Sequence, residues 1–423
     1  MQSFSKAPAA IERARAVMPV GTSSPLRACR NVDHDPLVIS KASGQYIYDI
    51  DGNRYLDFMC GFGPLILGHA HPEVVSAISE QAARGTLYGA YSEQEIELAE
   101  AIAATADHLD QVRFACSGTE AVMATLRLAR AYTQRTKVVR FRGSYHGHFD
   151  LVQNAGPDRF LEAGLDPAAM KSNLKARYND IDSVRVLFEE YPDEIAAVVI
   201  EPIAANMSLV LPEPTFLHEL RELCTAYGAV LIFDEVIVGF RLTYGPASNL
   251  LNVAPDLTAF GKIVGGGTPV GAFGGDKKIM RLLDEEKVLQ GGTFSGNPLT
   301  MAAGLATLRV LKRPGFYEEL ERKSQLLENE VVEQRAAFGG NFTFTRIGSI
   351  FAFIFVPEGT PIRNQADVAR QAHAPYTRLY AAMRSRGIHL APDIEEPMYV
   401  SAVTGDDELI NFAREAVRVI VDA

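Results

Sequence analysis

Four short segments set the fold class of this chain. Val112–Cys116, Lys137–Phe141, Ala196–Ile200 and Ala229–Phe233 are rich in β-formers and almost continuously apolar. A strand with one wet face alternates polar and apolar residues, whereas a strand covered on both faces does not. Between the last two segments, Phe216, Leu217, Leu220 and Leu223 recur at helical spacing, and Gly228 closes the pattern. Strand, helix, strand is a βαβ unit, so the spacing predicts an α/β domain with a mainly parallel sheet flanked by helices. After Lys312-Arg313-Pro314-Gly315 the pattern changes. A charged helical stretch runs from Phe316 to Ala337, alternation over Phe342–Val356 predicts antiparallel strands, and helices follow near 375–386 and 406–421. The expected organisation is an arm over 1–58, a large domain over 59–311 and a smaller C-terminal α/β domain over 312–423. The arm carries a hairpin, Tyr46–Asp49 and Tyr55–Phe58, around Asp51-Gly52-Asn53.

Composition removes several function classes. A net charge of -11 opposes a nucleic-acid or anionic-membrane surface, and no apolar run approaches the ~20 residues that span a bilayer. Met1 to Gly21 lacks the continuous apolar core of a secretory signal. Cys29, Cys60, Cys116 and Cys224 have no metal-like spacing, which predicts reduced thiols, a cytoplasmic location and no metal site.

One lysine stands out. No charged residue other than Lys262 occurs between Asp256 and Asp276, in a stretch with glycines at 261, 265, 266, 267, 271, 274 and 275. Apolar surroundings favour the neutral amine, which is the form that makes a Schiff base. The competing reading is a surface lysine beside a flexible loop. Ser117-Gly118-Thr119-Glu120 follows the first strand and opens a helical run. Ser-x-x-Glu marks a helix start, either as a simple cap or as a phosphate site on free N–H groups. Asp234-Glu235 and Glu201-Pro202 stand at the ends of buried strands, where active-site groups of open α/β sheets project. A buried carboxylate at Asp234 needs a cationic partner, and a protonated pyridine nitrogen would serve. Glu201 could equally cap a neighbouring helix. In Tyr145-His146-Gly147 the aromatic ring could stack on a planar ligand, and Thr293, just before Asn297-Pro298, is a second possible phosphate donor. Neither a P-loop nor a dinucleotide glycine fingerprint is present, which opposes a nicotinamide dehydrogenase.

In order, Ser117-Gly118-Thr119-Glu120-Ala121, Tyr145-His146-Gly147, Glu201-Pro202, Asp234-Glu235-Val236, Gly239-Phe240-Arg241 and Lys262 resemble the class III pyridoxal-phosphate aminotransferases. Within that family the stretches from Gly261 to Gly275, Gly292–Pro298 and Ser24–Ala28 are most similar to the glutamate-1-semialdehyde 2,1-aminomutases. The resemblance implies the fold-type-I architecture, with pyridoxal 5′-phosphate on Lys262 as an internal aldimine and pyridoxamine phosphate as the amino carrier. It implies that Asp234 pairs with the pyridine nitrogen, that Tyr145 stacks on the ring beside His146, and that Ser117, Gly118 and Thr119 bind the phosphate. Thr293 would reach the phosphate of a neighbouring subunit, so a homodimer follows. Glu201, Asn206 and Val236 complete the cofactor set, with Asn206 near the ring hydroxyl. Arg27 would grip a substrate carboxylate and Glu396 pair with it, with Ser24 and Phe62 on the substrate side. The chain departs from the mutases on those segments. Asn154–Glu162 replaces a longer gating loop, Phe62 stands where tryptophan is usual, and Ala391–Met398 replaces a more aromatic pattern. The expected activity is amino transfer between a separate donor and a carbonyl acceptor. Intramolecular transfer by an aminomutase is the alternative, and a lyase or epimerase a further one.

Overall fold

The computed structural model describes residues 5–153, 163–357 and 359–422. The chain divides into two compact units, one of Met1–Pro72, Gly315–Pro361 and Val368–Ala423, the other of Glu73–Pro314 and Ile362–Asp367. Segment Asn154–Glu162, which the sequence sets against a longer loop, lies outside the described residues.

The second unit is built on seven strands: β1 (Gln111–Ala115), β2 (Lys137–Phe141), β3 (Asn173–Ala176), β4 (Ile195–Ile200), β5 (Val230–Asp234), β6 (Leu257–Gly261) and β7 (Gly271–Gly275). Their order across the sheet is β1-β7-β6-β5-β4-β2-β3. Strands β3, β2, β4, β5 and β6 run parallel. Strand β7 runs against both its neighbours, β1 and β6. The four strands expected from sequence lie within one residue of their predicted bounds. Every residue of β4, β5, β6 and β7 is buried, which is why none of them alternates. The helix Gly118–Thr133 crosses one face of this sheet. Its Val122, Leu126 and Ala129 join Val138, Val199, Ile232, Leu257 and Phe273 in one buried cluster. Full burial of a side chain such as Leu126 is worth about 1.5–3 kcal/mol.

In the first unit the hairpin forms as expected, with Tyr46–Asp49 antiparallel to Arg54–Asp57. Asp49 closes its turn, accepting from the N–H of Asp51 (3.0 Å) and of Asn53 (2.8 Å). Strand Ile388–His389 pairs in parallel with Arg54–Asp57, so the hairpin shares a sheet with C-terminal sequence. Thr343–Ile347 and Ile350–Ile354 form the predicted antiparallel pair. Helices span Phe316–Phe338, His373–Ser385 and Asp406–Val421. Phe58 packs on Phe412 at 4.3 Å between ring centroids, with Phe351 edge-on to Phe58. The four cysteines are free thiols, and among the described residues no helix is long and apolar enough to cross a membrane.

Directly after β5, Glu235 is 1% exposed and accepts from the backbone N–H groups of Ala247 and Ser248. Burial pushes its carboxyl up to about 8, against those two donors, which pull it down. An unfolded glutamate titrates near 4.5, so the folded chain keeps a proton that the unfolded chain has released. The resulting stability is complete below that value and is lost as pH rises through about 8. Thermal unfolding from about pH 5.5 to about pH 8.5 should show Glu235→Gln gaining on wild type as pH rises; parallel curves would remove Glu235 from the pH dependence.

Candidate active site

Five loops leave the sheet at neighbouring strand ends, and they carry the residues singled out by sequence. β1 runs into Ser117, β2 into Tyr145, β4 into Glu201, β5 ends on Asp234 and β6 runs into Lys262. In a parallel sheet these are the carboxyl ends, where open α/β folds place ligands.

Close packing draws three of the loops together. A Cβ built on Gly118 would lie 2.9 Å from both Val236 methyls, and one on Gly261 would lie 3.2 Å from Val236 Cγ1. Val236 therefore fills the gap between the helix start and the lysine loop; Gly118 has no room for a side chain, and one on Gly261 would be tight against the same valine. Ser117 is the N-cap, its hydroxyl accepting from Glu120 N–H at 3.2 Å. The Glu120 carboxylate accepts from Cys116 N–H at 2.6 Å, one residue before the cap, rather than from Ser117 itself. Gly118 and Thr119 occupy the first helical turn, whose N–H groups have no intrahelical acceptor. Gly147, with φ +103°, brings the Tyr145 loop onto Thr119.

Asp234 is 5% exposed, with His146 Nδ1 2.7 Å from its Oδ2 and Val236 N–H donating to its Oδ1 at 3.1 Å. A carboxylate only accepts, so the imidazole carries a proton on Nδ1. Its Nε2 is buried with no hydrogen-bond partner among the described residues, as are Nδ1 of His71 and Nδ1 of His389. The acid pair read from sequence splits. Asp234 turns to His146, and its neighbour Glu235 turns to Ala247 and Ser248.

Glu201 is 3% exposed and caps no helix. Its Oε1 accepts from Tyr145 N–H at 3.0 Å, and its Oε2 accepts from Asn206 N–H (3.2 Å) and Asn206 Nδ2 (3.0 Å). Burial raises its carboxyl above the ordinary glutamate range, with Asp234 adding to the rise, while His146 and the two backbone donors oppose it. The Tyr145 side chain is 46% exposed, leaving ring surface for a ligand.

Lys262 is half-buried, not sealed in apolar surroundings. Its backbone is left-handed, φ +50°, an uncommon state for a side chain with a Cβ, and such strain gathers at functional sites. Thr293 is exposed on the loop before Pro298. That loop is held at its base by Arg127 to Leu289 O (2.8 Å) and Arg113 to Gln290 O (2.9 Å).

The residues assigned to substrate belong to the first unit. Arg27 is exposed at the end of the short 3-10 turn Pro25–Ala28, capped by Ser24. Phe62 is half-buried with φ +66°, inside a left-handed run with Cys60, Gly61 and Gly63. Glu396 is half-buried in the loop after Asp393, its N–H donating to Asp393 O at 3.4 Å. The contacts in hand join Ser117, Gly118, Thr119, Tyr145, His146, Glu201, Asn206, Asp234, Val236 and Gly261-Lys262 into one cluster of the second unit. Sequence reading missed the His146–Asp234 bond and the bracing by Glu201. A Tyr-His-Gly turn two strands away from a strand-end Asp was the available signal, but the sheet order was needed to use it.

Residues 28–387 match the family model for Aminotransferase class-III. Glutamate-1-semialdehyde 2,1-aminomutase of Syntrophomonas wolfei is 45% identical over 404 residues, 94% of this chain and 93% of that protein. Among solved structures, an omega-transaminase from Sphaerobacter thermophilus superposes with a TM-score of 0.91 at 35% identity, covering 99% of this chain and 98% of that one. A glutamate-1-semialdehyde-aminomutase from Pseudomonas aeruginosa PAO1 in complex with PMP gives 0.87 at 25% identity, covering 98% and 94%.

Gly147 offers a test of this geometry. A Cβ there would sit 2.7 Å from Thr119 Oγ1 and 2.9 Å from Thr119 Cα, on a left-handed backbone. Gly147→Ala should weaken binding of pyridoxal phosphate by roughly tenfold or more, since overpacking costs about 1–3 kcal/mol. Equilibrium titration measures this, and unchanged affinity would separate the Tyr145 loop from the ligand site.

Proposed function

The chain belongs to the class-III aminotransferases and uses pyridoxal phosphate, and on that footing we propose that it moves an amino group between a separate donor and a carbonyl acceptor. The observation that carries the site assignment is Asp234, a buried carboxylate fixed as an acceptor by His146 and Val236 in the same cluster as Gly261-Lys262. When bound, the cofactor supplies a carbonyl that takes up an amine and a ring that withdraws electrons from the substrate carbon.

The residues present suit that group. Lys262 Nζ is the covalent anchor and, once displaced, the base and acid that moves a proton at the substrate carbon. Asp234 would hold the proton of the ring nitrogen, while His146 fixes the carboxylate's orientation. Tyr145 would stack on the ring, and Asn206 would serve its hydroxyl. The N–H groups of Gly118 and Thr119 and the Ser117 hydroxyl take the phosphate at the positive end of the helix Gly118–Thr133. Thr293 completes the phosphate site of a second copy, which makes the enzyme a homodimer with shared sites. Arg27 receives a substrate carboxylate, balanced by Glu396, with Ser24 and Phe62 alongside. The four free thiols support a cytoplasmic enzyme.

A second reading is intramolecular amino transfer, which the 45% identity to an aminomutase favours. Against it stands Phe62 at a position where the resemblance expects tryptophan.

Two experiments bear on these readings. Lys262→Ala should lose the borohydride-fixable cofactor adduct and at least roughly a hundredfold in turnover; a variant that still fixes label would move the anchor elsewhere. The pyridoxamine form of the wild type, offered glutamate 1-semialdehyde alone, should release little 5-aminolevulinate, whereas an added 2-oxo acid should return the cofactor to its aldehyde form. Efficient 5-aminolevulinate formation without one would replace the first reading by the second.

A further inference from the structure

Glu201 braces two neighbouring segments through both of its carboxylate oxygens. All three bonds recorded for its side chain go to protein donors, one in the Tyr145 loop and two in Asn206. Behind it, the hydroxyl of the fully buried Tyr178 donates to the carbonyls of Glu201 (3.3 Å) and Pro202 (3.0 Å), so the carboxylate projects from a fixed base. Asn206 sits in a tight reversal closed by Ala204 and Val210, which exchange backbone bonds of 3.0 and 3.1 Å. Within that reversal Ser208 (φ +52°) and Leu209 (φ +60°) are both left-handed and fully buried, a conformation that persists only when surrounding contacts over-determine it.

We propose that Glu201 is a positioning residue: its buried carboxylate ties the backbone beneath Tyr145 to the strained reversal carrying Asn206, so that the aromatic face and the amide at the ring's edge are held in one geometry. The chemistry of the group explains the choice of glutamate. Three donors converge on two oxygens, and only a carboxylate accepts at both. A glutamine would keep the bond to Tyr145 N–H but turn its own NH₂ group against the N–H and NH₂ of Asn206. Burial also makes each missing bond costly, because no water replaces it. The inference rests on the reading of Tyr145 and Asn206 as ring-contacting residues.

The test uses full-length holoenzyme and two variants, Glu201→Gln and Tyr145→Ala. Visible circular dichroism of the bound cofactor reports ring orientation, titration reports affinity, and thermal unfolding of the cofactor-free protein reports structure alone. Glu201→Gln should alter the dichroism and weaken pyridoxal phosphate binding about tenfold, the expected loss for a charge-assisted hydrogen bond. Wild-type dichroism and affinity in Glu201→Gln would overturn the proposal, and so would a lowered unfolding temperature with both unchanged. Tyr145→Ala with unaltered dichroism and affinity would instead remove the pocket reading beneath it. Should Glu201→Gln not fold, Glu201→Asp, charged but too short to span both partners, should show the same changes more weakly, and its matching the wild type would equally end the proposal.

Discussion

The contact on which the site depends is the wedge of Val236 between Gly118 and Gly261. It joins three loops that leave different strands, leaving no space for a Cβ on Gly118 and little for one on Gly261. Because Val236 lies two residues beyond Asp234, the same wedge sets how far the acid stands from the helix start and from Lys262. Its N–H also donates to Asp234, so packing and hydrogen bonding constrain one short segment together. Protein interiors transmit such displacements rather than absorb them.

Three buried carboxylates surround this wedge, and the structure treats each differently. Asp234 is given a histidine and one N–H, Glu201 three donors in two other loops, and Glu235 two N–H groups at the start of a short helix. Burying a carboxylate without donors would neutralise it. Of the three, Asp234 alone is paired with an imidazole. The other two act as ties between segments of backbone, which is how so much acidic character fits into one region without collapse of its charge.

Much of the sheet was legible from sequence because β4 and β5 are covered on both faces and show it as unbroken apolar runs. The helix start was legible too, since a Ser-x-x-Glu cap is a local signal. Less visible was anything requiring sheet order. His146 meets Asp234 because β2 and β5 both flank β4, a neighbourhood that periodicity does not encode. Asp234-Glu235 looked like a pair, yet successive side chains at a strand end diverge, and the two never act together. The left-handed backbone at Lys262 had no signature, because no glycine or asparagine occupies the position. In the first unit, the pairing of Ile388–His389 with the N-terminal hairpin joins segments far apart in the chain, which local reading assigned to different domains.

The reversed direction of β7 has a consequence for how such an enzyme can change. Since Gly271 faces Gly261 across the ladder, the chain that leaves the sheet at the lysine must return to it beside the same spot. Lys262 through Val270 is thus a closed loop with a clamped mouth, and Lys262 sits in the clamp. Of its far tip, Gly266 is fixed against Ala303 and Thr307 with no room for a side chain, while Gly267 is exposed and can take insertions without shifting where the lysine is rooted. A scaffold of this design can diversify its specificity while its chemistry stays anchored.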